Sequence, residues 1–211
     1  MSDITPEAVE ELFTRASGDY VFARWGRPIA PVIFGVTDET LQIVKGAIET
    51  CVLIAGHTMA ETDPELGVNL MVFFLSDWAE LLDVPNMGEM IPDLAARVAQ
   101  LSAKNAHQYR AFRFDDAGAI KACFTFVRMG GAMDDVPADV IALAQAVQAM
   151  LLWSDRAFSQ DSPLAEAPDG TVVRPDVANL LRAAYDPVLP ASAREATHAL
   201  RLYARLIAAP S

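Results

Sequence analysis

The chain holds three histidines, His57, His107 and His198, and no two are spaced to face one metal ion from a single helix. His57 follows Gly56 just past a helix end, where an imidazole can bond free carbonyls. His107 falls between a helix and a strand, and His198 sits among Arg and Ala on the last helix. None belongs to a carboxylate cluster, so neither a metal centre nor another cofactor is expected. The acids occur in pairs with structural uses. Asp115-Asp116 suit a turn, Asp134-Asp135 precede a helix and match its dipole, and Glu10-Glu11 face outward on the first helix. The G-x-S-x-G, G-x-x-x-x-G-K-[ST] and G-x-G-x-x-G patterns are all missing. No residue is assigned a catalytic role.

Two groups remain as binding candidates. Arg24-Trp25-Gly26-Arg27 places two guanidiniums around an indole, a weak candidate contact for an anion or a stacked ligand. The run "LAQAVQAMLLWSD", residues 143–155, is apolar nearly all round, except that Gln145 and Gln148 lie three residues apart on one helix face.

These side chains need a scaffold, and composition provides for one. The 211 residues are 53% hydrophobic and 21% charged, enough apolar material for one sizeable core. Lys and Arg total 16 against 28 Asp and Glu, a net charge of −12 with no basic run. Such a chain gains nothing from counterion release, so nucleic acid is not expected as a partner. Cys51 and Cys123 lie far apart in apolar runs, which suits free thiols in a reducing compartment and leaves a single disulfide open. The start "MSDITPEAVEEL" lacks a basic and apolar leader, and no apolar run approaches the ~20 residues of a membrane span. The expectation is a cytoplasmic protein with no membrane partner.

Along the chain, Thr5-Pro6 opens a helix expected to run to Ser17. Pro31 to Val36 reads as a strand, and Thr37 or Asp38 caps a helix that Gly56 closes. Asn69 to Leu75 is a buried strand, followed by short helices beginning at Ser76-Asp77 and Pro92. "YRAFRF" and "AIKACFTFV" flank the turn "DDAG", the clearest hairpin signal of the chain. The helix of 139–155 follows, then a loop over Ser159–Arg174 and two C-terminal helices within 174–208. The order predicts one α+β domain over 1–211: an N-terminal helix at 5–17, a mixed sheet of about four strands with packed helices over 29–155, and the C-terminal helices.

A helix in that place resembles the active-site helix of zincin metalloproteases. The zincin pattern H-E-x-x-H puts two imidazoles on one metal with a Glu between them, and metzincins extend it to H-E-x-x-H-x-x-G-x-x-H. In this register Ala144 stands at the first His, Gln145 at the general base and Gln148 at the second His. Leu151 replaces the Gly and Ser154 the third His. "RWGRPI", "NLMVFF", "QAMLLWSD" and "LLRAAYDPVLP" are further similar to an uncharacterised bacterial family, mostly of predicted secreted proteins, with a degenerate zincin-like helix. That family usually carries Glu-Glu-x-x-Gln, then Leu-Gly-Leu and Asn-Asp. Gln148 and Asp155 fit, whereas Ala144, Gln145, Leu151, Ser154 and the missing leader depart.

The resemblance implies a zincin-like fold whose metal and catalytic residues are lost. A peptide or protein would bind in a groove between the sheet edge and the helix, with Gln145, Gln148, Asp155 and Tyr185 as the groove residues. The rival expectation is a hydrolase of unrecognised chemistry using Asp155 or Asp161 with Tyr185 or His198. A third is a homodimer through the Ala- and Leu-rich terminal helices.

Overall fold

The computed structural model describes residues 4–208; residues 1–3 and 209–211 of the expected 1–211 domain lie outside the described residues. Helix α1 (Pro6–Glu11) is capped by Thr5, whose hydroxyl oxygen accepts from the Ala8 amide at 3.2 Å. It ends well before the expected Ser17, because Phe13 turns fully into the core between Phe22 and Trp153. Burying a Phe is worth about 2 kcal/mol, against a few tenths for each added exposed helical residue, so burial wins. The chain then reverses, with Thr14 bridging Tyr20, and enters β1 (Phe22–Ala23).

β2 (Pro31–Phe34), α2 (Asp38–Ile54) and β3 (Leu70–Leu75) follow. Thr37 caps α2, and Gly56, at φ +64°, closes it in the left-handed conformation expected of that glycine. Short helical turns at Trp78–Leu82 and α3 (Met87–Met90) lead to α4 (Leu94–Ala103). The hairpin is β4 (Gln108–Phe114) and β5 (Ile120–Arg128). Its turn has Gly118 at φ +81°, and Asp115 Oδ1 accepts from the amides of Ala117 and Ala119. After α5 (Ala138–Met150), the expected loop over 159–174 contains a small hairpin, β6 (Leu164–Ala167) and β7 (Gly170–Val173). Its strands are short and half-exposed, so they carry no apolar run by which to recognise them. α6 (Pro175–Ala184), β8 (Ser192–Ala193) and α7 (Thr197–Ala208) complete the described chain. α7 starts late because β8 is drawn into pairing with β1.

The architecture is α+β. A four-stranded mixed sheet has the order β2-β3-β5-β4, in which β2, β3 and β5 run parallel and β4 is the antiparallel edge. Alternate residues of β3 serve two cores. Leu70 and Val72 pack with α2, α5, α6 and α7, while Phe73 and Leu75 pack with Trp78 and α4. Covering both faces explains why β3 reads as an unbroken apolar run rather than an alternation. No helix among the described residues is long and apolar enough to cross a membrane.

Candidate functional site

On β4, Gln108, Arg110 and Phe112 share one face by strand alternation, and Phe112 packs against the larger core beside α5. On α5, Gln145 and Gln148 project from one face, as their three-residue spacing requires. The two faces meet through Arg110. Its Nη1 donates to Gln145 Oε1 at 2.5 Å, and its Nη2 donates to Gln148 Oε1. Gln145 Nε2 in turn donates to Gln108 Oε1 at 3.0 Å, and the same oxygen lies 3.4 Å from Arg110 Nη2. Three glutamine carbonyls thus surround one guanidinium.

No salt bridge of the described residues includes Arg110. Burial lowers its pKa to about 10, so it stays a cation at neutral pH. The nearby Cys123 thiol supplies no counter-charge, because burial pushes its pKa up to about 11. A cation in this setting normally has an anionic partner, and amide dipoles are a partial substitute.

A surface cavity of about 480 Å³ opens beside this cluster. Arg110, Gln148 and Phe112 line it from β4 and α5, and Leu152, Trp153 and Asp155 from the segment after the helix. Arg15 is a further lining residue. One Asp155 oxygen accepts from the Ala16 amide at 2.9 Å. Of the groove residues expected from sequence, Gln148 and Asp155 therefore reach one cavity, with the buried Gln145 joined to it through Arg110.

Tyr185 stands elsewhere, at the end of α5. The helix, expected to reach Asp155, stops at Met150, and Leu151 leaves it in extended conformation at φ −134°. Neighbouring segments satisfy the last carbonyls that a helix end leaves free. Trp153 Nε1 donates to Val147 at 3.1 Å, Trp25 Nε1 to Ala149 at 2.9 Å and Tyr185 Oη to Met150 at 2.7 Å. Leu152 N then donates to the Ala23 carbonyl, fastening the departing chain to β1. Three aromatic donors do what a terminal glycine often does, which explains how Leu151 is accommodated. Ser154, off the helix, donates to the Glu11 carbonyl.

The Arg24-Trp25-Gly26-Arg27 segment is likewise engaged within the fold. Trp25 is fully buried, and the Arg24 guanidinium lies 5.5 Å from the Tyr185 ring centroid. Arg27 pairs with Asp63 at 3.4 Å and Glu65 at 3.0 Å. His57 joins this group with its ring 5.0 Å from that of Tyr185, while the other polar candidates stand apart. His57 Nε2 bonds the Arg27 carbonyl, and Asp161 lines a separate cavity against α1. His198 is buried, with Nδ1 2.8 Å from Tyr20 Oη. Among the described residues, no three His, Cys, Asp or Glu side chains gather closely enough to hold a metal.

Compared with family models, curated proteins and solved structures, the chain matches none of them.

Arg110 was not singled out from sequence, although it stands in strand register with Phe112, a position that faces inward. "YRAFRF" mixes a large apolar and a charged residue on each face, so alternation alone did not say which face was covered.

Proposed function

We propose that the chain is a non-catalytic binding domain of zincin-like layout that takes an extended peptide or protein segment along the edge of β4. The observation that carries this reading is the convergence of Gln145 and Gln148 on Arg110. In the zincin register these are the positions of the general base and the second metal ligand. Here both amide oxygens are committed to a guanidinium, which leaves neither a base nor a ligand atom free.

The mode of binding follows from the sheet. β4 pairs with β5 on one side only, and among the described residues no other segment bonds its outer backbone edge. An unpaired strand edge is a template for an added strand, with main-chain bonds providing affinity and flanking side chains providing selectivity. The cavity with Arg110, Trp153 and Asp155 is the feature near that edge able to read a side chain or a chain end.

Hydrogen exchange of β4 amides in the presence of a pool of synthetic peptides tests the proposal. Slower exchange in Gln108–Phe114, with β2 unchanged, is the expected result. Protection confined to another surface would overturn it.

A further inference from the structure

A guanidinium enclosed by neutral amides is electrostatically incomplete. Arginine carries five N–H donors in a planar fork. Gln145, Gln148 and Gln108 account for three of them, the last at the long distance of 3.4 Å. Two donors are left without a protein acceptor among the described residues. The site is also held in place: Gln145 is 7% exposed and is bonded to Gln108 as well as to Arg110. The half-buried cation is met by amide contacts alone, an arrangement that gains from an added anion.

The rest of the cavity narrows the class of anion. Arg15 and Arg110 line the cavity with one acid, Asp155, so the lining residues carry a net positive charge within a chain of net charge −12. Asp155 is already held through one oxygen by the Ala16 amide and stands as a barrier against a second negative charge. A ligand with a single negative charge fits better than a multiply charged phosphate. Phe112, Leu152 and Trp153 form an apolar part of the wall, and the indole is fixed by stacking on Phe13 at 5.4 Å and by its bond to Val147.

We propose that the cavity beside Arg110 binds a single carboxylate attached to an apolar body, with Arg110 as the anion contact and Trp153, Leu152 and Phe112 against the apolar part. A carboxylate suits Arg110 because its charged oxygen accepts a charge-assisted hydrogen bond from one of the free donors, a stronger bond than a neutral carbonyl would make. Two sources share this chemistry: a small free monocarboxylate, or the terminal carboxylate of a peptide ending in an apolar residue. The second source rests on the binding-domain reading above and places the end of the added strand at the cavity. The first does not need that reading.

Isothermal titration with four probes tests the proposal: N-acetylphenylalanine, its amide, the acetylated pentapeptide Ala-Val-Ala-Val-Phe as the free acid, and its C-terminal amide. Each acid that binds is expected to do so about tenfold or more tightly than its amide, the scale of one charge-assisted hydrogen bond. Gln148→Glu, which gives Arg110 an internal carboxylate, is expected to abolish that preference in a protein that still unfolds cooperatively. Arg110→Gln is expected to do the same. Equal binding of acid and amide forms of the peptide overturns the carboxylate site while leaving the peptide reading standing. Binding of N-acetylphenylalanine alone supports the carboxylate site and counts against the peptide reading. Failure of both acids to bind, or an acid preference that survives in Gln148→Glu, overturns the proposal.

Discussion

Arg110 Nη1 lies 2.5 Å from Gln145 Oε1, so the edge strand and the long helix of this protein are joined through a cation held by an amide. Gln148 accepts from the same guanidinium, and its own amide nitrogen donates to no described group. A carboxylate at position 148 would supply the missing charge without removing a used donor. Gln148→Glu is therefore expected to stabilise the fold by roughly 1 kcal/mol, read as an upward shift of several degrees in thermal unfolding. A lower melting temperature would show that Arg110 is adequately compensated already.

Removing the cation should have the opposite sign. Arg110→Met keeps much of the aliphatic stem but leaves Gln145 and Gln148 without their donor. A cost of about 1–3 kcal/mol is expected in denaturant unfolding, because Gln145 is buried. An unchanged midpoint would mean that water replaces the guanidinium at no cost.

The end of α5 makes a second set of expectations. Trp25→Phe retains most of the buried ring but strands the Ala149 carbonyl, and Tyr185→Phe does the same to Met150. Each is expected to cost about 1–3 kcal/mol by chemical denaturation. Should Tyr185 instead serve a ligand, Tyr185→Phe would alter binding and leave stability untouched.

Much of this scaffold was legible in the residues. Thr5, Thr37 and Gly56 marked helix ends, and "DDAG" marked the hairpin turn, because caps and turns are decided by local chemistry. The antiparallel edge position of β4 was not legible, since strand order depends on contacts between residues far apart in sequence. The early stop of α5 at Met150 was hidden for a related reason. Two of its three terminating donors come from Trp25 and Tyr185, more than a hundred positions before and more than thirty after. Within the site, Gln145 and Gln148 stood out as polar residues in an apolar run, while Arg110 became visible only when β4 and α5 were seen face to face.

Acid should weaken the fold through His198. Burial and then Arg201 hold its pKa at about 4, below the ordinary value of 6.5. The unfolded chain takes up a proton as the pH falls through 6.5, whereas the folded chain keeps the ring neutral. Stability on this account is complete above pH 6.5, declines between 6.5 and about 4, and levels off below. His198→Asn, whose amide stands where Nδ1 does and can still bond Tyr20 Oη, should flatten that decline in urea midpoints measured across the range. An unchanged slope would assign it to other groups.

Zinc content tests most directly whether the helix of Gln145 and Gln148 has left metal chemistry behind. Protein purified without chelator, incubated with zinc and dialysed, should retain only substoichiometric metal by elemental analysis, with thermal stability unaffected by zinc. One equivalent of tightly held zinc, lost on Gln148→Ala, would contradict the reading of this site as a guanidinium cradle.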